Sequence, residues 1–192
     1  MARPRTFDPD AALDAAERVF HERGYEAASV QDLVDATGLS RSSLYAAWGD
    51  KHGLFLAVLD RYAEAGQRRT AGLCDDVPPL DAVRALLELW ARPAPDARGC
   101  LLVNAAAERA GCDPDTAARA ERARLAVTAR LAELVQRAQR QGQLDATRSP
   151  DALACFLAGV LYGLRGMQTA GAGASDLATV INETMRALEP AG

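Results

Sequence analysis

Lysine and isoleucine are almost missing from this chain of 192 residues, with one of each, Lys51 and Ile181. Aromatic residues make up only 5%. Valine is modest, so β-branched residues are thin, which argues against a strand-rich fold. Histidine occurs twice, as His21 and His52, and neither lies in the last two-thirds of the chain. A metal centre or a histidine-based catalytic site in that part therefore lacks its usual residue. No nucleophile stands beside a plausible base in a recognisable motif, so an enzyme is not expected, and neither is a cofactor. Four cysteines, at 74, 100, 112 and 155, need not form a disulfide framework in a chain this long. Cys100 and Cys112 stand twelve apart, which matches no common zinc pattern. No apolar run reaches the roughly 18 residues of a membrane helix. The richest stretch, Ala152 to Leu164, is followed by Arg165. The first residues are poor in apolar side chains and already carry acids, so no secretory leader is expected. These features predict a cytoplasmic protein without a membrane partner.

What is present favours helix. Ala, Leu, Arg and Glu dominate. Apolar residues at 49% are enough for a core, and charged residues at 25% suit a folded, soluble chain. The net charge of −4 does not announce a nucleic-acid partner. Residues 1–60 are no better, with six basic against ten acidic side chains. Any DNA contact there must rest on a few focused cations: Arg3 and Arg5 on an N-terminal arm, and Arg41 and Lys51 flanking one short helix. A solvated surface of mixed charge accounts equally well for the charges alone.

The spacing predicts a first helix from Asp8-Pro9, where an N-cap precedes a proline suited to the first helical position. Leu13, Ala16 and Phe20 share one face, and Gly24 is expected to stop it. Ser29 opens a short second helix, with Asp32 completing a capping-box-like pair. Gly38 supplies a tight turn. Ser40 then caps a third helix running from Arg41 to about Trp48. On that helix Leu44 points inward, with Ala47 and Trp48 on the same side, while Ser42 and Ala46 point outward. The outer face is small and hydroxylated, with one arginine and one tyrosine, and it fits a major groove. Two short helices joined by a glycine turn over about 20 residues form a helix-turn-helix.

Lys51 opens a fourth helix, expected to run to about Cys74. Further apolar stripes predict helices after Pro79, near Arg98 to Gly111, from Pro114 to Gly142, after Ser149-Pro150, and across Leu177 to Leu188. The inward face of the long, arginine-studded helix at 114–142 is expected to carry Leu125, Leu131, Leu134, Val135 and Ala138.

From Ala11 to Tyr62 the chain resembles the DNA-binding domain of TetR-family regulators. The resemblance is carried by Phe20, Gly24-Tyr25, Ser29, Thr37-Gly38-Leu39-Ser40, Leu44-Tyr45, Trp48 and Lys51. A weaker likeness covers Arg98 to Glu108. The resemblance implies an all-α fold of about nine helices. Residues 1–50 would form a three-helix DNA-binding domain, and residues 51–192 a helical domain for ligand sensing and dimerisation. It implies phosphate contacts by Ser29, Tyr45 and Lys51, and base or backbone contacts by Arg41, Ser42 and Ser43. Hydroxyls and helix N-termini suit phosphate, and arginine suits guanine. Many relatives carry bulkier residues where this chain has Ala46 and Ala47, so fewer base contacts are expected. For Trp48 core packing competes with any DNA role, and for Tyr45 it competes with the phosphate contact.

The resemblance also implies a homodimer on a palindromic operator. Independently, the last two long helices carry wide apolar faces, which predict an interface from Pro150 to Met167 and Leu177 to Leu188. A small-molecule effector is expected among the middle helices, with Trp90, Cys100, Val103, Asn104, Phe156 and Tyr162 as candidate lining residues. Each has a packing role as its alternative; Asn104 either meets a ligand or bonds another helix. A further alternative is a repressor that senses oxidants or electrophiles through Cys100, at a helix start near Arg98.

Overall fold

The computed structural model describes residues 7–72, 77–92 and 99–189. The described residues form nine helices and no strand. These are α1 (Pro9–Ala27), α2 (Val30–Thr37), α3 (Arg41–Trp48), α4 (Lys51–Ala71), α5 (Pro79–Ala91), α6 (Leu101–Arg109), α7 (Pro114–Arg140), α8 (Pro150–Thr169) and α9 (Ala174–Leu188). No described helix is long and apolar enough to cross a membrane. The expected all-α fold is the one observed. Arg3, Arg5, Cys74 and Arg98 lie outside the described residues.

The helix starts follow local chemistry. The Asp8 carboxylate accepts from the Asp10 and Ala11 amides at 2.9 and 3.4 Å, ahead of Pro9. Ser149 accepts from the Ala152 amide in the same way, ahead of Pro150. Asp113 caps α7, taking the amides of Asp115 and Thr116. Each such cap satisfies amides that have no partner inside the helix.

The chain divides into two compact units, Met1–Ala65 with Cys100–Ala120, and Gly66–Gly99 with Glu121–Gly192. The core of the first unit joins Ala16, Val19 and Phe20 of α1 to Leu33, Leu44, four residues of α4, and Leu101 and Ala105 of α6. Phe20 meets Phe55 edge-on at 4.9 Å. The second unit buries α5 (Ala82, Val83, Leu86, Leu87) with α8, α9 and the Leu131–Ala138 stretch of α7.

Two expectations need correction. Gly24 does not end α1. It kinks the helix at φ 74° and ψ −179°, and helical bonding resumes to Ala27. Leu125 does not face inward; it is 52% exposed. At about 100° per residue, the nine residues to buried Leu134 place Leu125 on the opposite side of α7.

Candidate functional site

The α2–α3 pair is built around Leu33 and Leu44, both buried in the first unit's core. Ser29 and Asp32 form a complete capping box at the start of α2. The Asp32 amide donates to Ser29 Oγ at 3.1 Å, and the Ser29 amide donates to Asp32 Oδ2 at 2.8 Å. The hydrogen bonds from Ser29 hold the Asp32 carboxyl below its ordinary range. Gly38 ends α2 in the left-handed region at φ 67°, the conformation that favours glycine. Its amide donates to the Val34 carbonyl.

At the head of α3 three hydroxyls meet. Ser40 Oγ accepts from the Ser43 amide and lies 2.9 Å from both Ser42 Oγ and Ser43 Oγ. Arg41 and Ser42 are exposed, and Ser43 is half-buried. The Arg41 guanidinium donates to Tyr45 Oη at 3.3 Å and lies over the ring. Ala46 is exposed beside them, and Trp48 is half-buried against the core. Ser29, Arg41, Ser42, Ser43 and Tyr45 thus occur on two short helices of one unit, with hydroxyls, an arginine and a helix N-terminus together at the head of α3. That combination is chemically suited to phosphate and base edges.

Lys51 belongs to a cluster that sequence reading missed. Its ammonium lies 4.4 Å from the centre of the Tyr25 ring, and the Arg109 guanidinium lies 4.0 Å from it. Lys51 Nζ also reaches the Glu26 carbonyl at 3.5 Å. Glu108 accepts from the Tyr25 and Glu26 amides at 2.9 and 2.8 Å. A Cβ on Gly24 would sit 2.8 Å from Glu108 Oε2. Arg109 pairs with Glu26 and also donates to Asp113 Oδ2. Burial would raise the Asp113 carboxyl, but hydrogen bonds from Thr116, His52 and Arg109 outweigh it and hold the group well below the carboxylate range. His52 Nε2 lies 2.8 Å from Asp113 Oδ2. Burial raises the Tyr25 phenol. The i, i+4 spacing of Arg109 and Asp113 hinted at their pair; nothing local pointed to Tyr25 or His52.

His52, Asp113 and Asp115 bring three donor atoms within 4.8 Å of one another. Asp113 is already engaged by His52, Thr116 and Arg109, and the guanidinium repels a cation. The arrangement suits an internal ion pair rather than a metal.

The six candidate effector residues are spread over both units. Trp90 and Tyr162 meet edge-to-face at 5.4 Å in the second. Phe156, in the same unit, is 46% exposed on α8 and lines a separate groove of about 410 Å³ with Arg148, Ser149, Ala152, Leu153 and Ala187. Cys100, Val103 and Asn104 belong to the first unit. Cys100 is a free, buried thiol at the N-cap of α6, whereas Val103 and Asn104 are exposed. Sequence reading missed Arg165, whose guanidinium lies 5.8 Å from the centre of the Trp90 ring, and Gln168, three residues further along α8. The outer face of α8 carries Ala152, Cys155, Phe156, Gly159, Gly163 and Gly166, all exposed.

Comparison with known proteins bears on this arrangement. Residues 12–58 match the model for bacterial regulatory proteins of the tetR family, and residues 79–184 match the tetracyclin repressor-like C-terminal domain. The chain is 56% identical to the HTH-type transcriptional repressor ComR of Escherichia coli K12 over 62 residues, 32% of this chain and 30% of ComR. It is 38% identical to the repressor BdcR of the same organism over 99 residues, 51% of this chain and 50% of BdcR. These matches span half or less of each relative. Among solved structures, a cysteine-substituted CifR, a TetR family transcriptional regulator complexed with 26 bp double-strand operator DNA, superposes with a TM-score of 0.82 at 34% identity. That match covers 96% of this chain and 99% of CifR. The chain belongs to the TetR family of bacterial transcriptional regulators.

Proposed function

We propose that the chain is a repressor that binds a palindromic operator as a homodimer and is released by a small-molecule effector. Residues 1–50 grip DNA, and residues 51–192 dimerise and sense. The observation that carries this reading is the head of α3, where Arg41 and the Ser40–Ser42–Ser43 hydroxyl cluster stand together. The likeness to CifR in its operator complex supports the same role. In this reading Arg41 leaves the Tyr45 ring to contact a base, Ser42 and Ser43 reach bases or backbone, and Ala46 meets a thymine methyl. Ser29, Tyr45 and Lys51 take phosphates, and Arg3 and Arg5 add an arm. Cation–π contacts at exposed sites are worth about 0.5–1 kcal/mol, so phosphate can displace them.

Support for the dimer comes from the outer face of α8. Gly159, Gly163 and Gly166 each cost about 1 kcal/mol of helix stability relative to alanine, yet a Cβ there would meet nothing within 4 Å in this chain. Close approach of a second copy explains them. The protein would act in the cytoplasm, where the operator is. A cysteine trigger at Cys100 draws less support, because the thiol is only 8% exposed and attack needs a reachable thiolate.

The test is a mobility-shift assay on DNA flanking the gene, comparing wild type with Arg41→Ala and Lys51→Ala. Both variants are expected to weaken binding at least tenfold, about 1.4 kcal/mol. Equal binding by all three would overturn the assignment of the DNA face.

A further inference from the structure

The second unit contains a polar pair that the described residues leave incomplete. Arg165 and Gln168 lie three apart on α8, hence on one face, with Tyr162 one turn earlier. Arg165 Nη1 donates to the Arg92 carbonyl at 3.3 Å. Its Nε is buried and has no acceptor among the described residues. Gln168 Oε1 is likewise buried and without a donor there. The guanidinium lies 5.8 Å from the centre of the Trp90 ring, which meets Tyr162 edge-on at 5.4 Å.

Leaving a buried polar atom unpaired is costly, and a cation makes it more so. A ligand from outside would supply the acceptor and the donor that the described residues do not. We infer that Trp90, Tyr162, Arg165 and Gln168 form an effector site for a small aromatic carboxylate carrying a hydroxyl or N–H group. With Nη1 committed to Arg92, the guanidinium offers the Nε edge, which binds a carboxylate side-on through two parallel hydrogen bonds. The Trp90 and Tyr162 rings contact the ligand's aromatic face. Gln168 Oε1 accepts from its hydroxyl or N–H. This deepens the effector-released repressor reading and rests on it.

The experiment is calorimetric titration of the full-length protein with 4-hydroxybenzoate and its neutral analogue 4-hydroxybenzamide. Wild type is expected to bind the acid at least tenfold more tightly than the amide, in line with charge-assisted hydrogen bonds. Arg165→Met is expected to lose that preference, and Arg165→Lys, which keeps the charge but not the fork, to retain part of it. Gln168→Leu is expected to weaken 4-hydroxybenzoate but not benzoate, and it decides the matter if Arg165→Met fails to fold. Equal binding of acid and amide, an acid preference that survives Arg165→Met, or no binding of either at millimolar concentration overturns the site. A parallel mobility shift separates the two readings. An acid that binds without releasing operator DNA sinks the effector reading and leaves the site standing. Release by neutral compounds alone does the reverse.

Discussion

Asp113 shows how one side chain can hold distant parts of a unit. It is 5% exposed, yet it remains ionised because Thr116, His52 and Arg109 all donate to it. It also caps α7 through two amides. Asp113→Asn removes the charge while leaving His52 and Arg109 in place, so it breaks the pair rather than replacing it. A loss of about 3 kcal/mol is expected at neutral pH, measured by chemical denaturation. The sign of the pH dependence follows from the lowered carboxyl. The stabilisation is fully present above the unfolded-state value near 4, and it is lost as pH falls through the lower folded value. Wild type should therefore lose stability on acidification, while Asp113→Asn should show a flatter acid limb. Parallel acid limbs for the two proteins would contradict this account. The capping role of Asp113 was legible in the Asp-Pro step. Its bond to His52 was not, because the two lie 61 residues apart.

At the scale of elements, the corner after α1 depends on α6. Glu108 holds the Tyr25 and Glu26 amides, and Gly24 clears the space for it. Glu108→Leu leaves two amides without their acceptor and is expected to cost about 1–3 kcal/mol, read from thermal unfolding. Gly24→Ala meets both a left-handed φ of 74° and the Glu108 carboxylate, so a loss of about 1–3 kcal/mol is expected. If Gly24→Ala costs nothing, the corner does not depend on this contact. The sequence disclosed α2 and α3 well, since Ser29, Gly38, Ser40 and Leu44 are caps, turn and core within about 20 residues. It disclosed the kink poorly. Gly24 carries a stop signal, and the carboxylate from α6 that takes the Tyr25 and Glu26 amides just beyond it lies more than eighty residues away in sequence. Leu125 failed for a different reason: an arginine-rich helix with many apolar residues fits more than one inward phase. Trp90 and Tyr162 were candidates that the resemblance implied, whereas Arg165 and Gln168, polar residues late in an apolar helix, carried no local signal.

For the whole molecule, charge constrains how an operator could be held. The net charge is −4, and the acids of residues 1–60 outnumber the bases. A broad basic surface is therefore not available, and affinity must come from a few placed cations and amides. Each phosphate neutralised on duplex DNA steepens the salt dependence of log K by about 0.9. A dimer losing one lysine contact per protomer should thus lose about two units of slope. Lys51→Ala is expected to flatten the slope by that amount, with little change in sequence preference, because a phosphate contact carries no base information. Phe156→Glu acts differently. It places a charge on the outer face of α8, where Phe156 is 46% exposed, and should convert a dimer to a monomer in sedimentation without unfolding the second unit. Operator affinity should then fall far more than in Lys51→Ala, since each half-site is bound alone. A monomeric Phe156→Glu that keeps wild-type affinity would show that the two half-sites are not read by a dimer joined through α8.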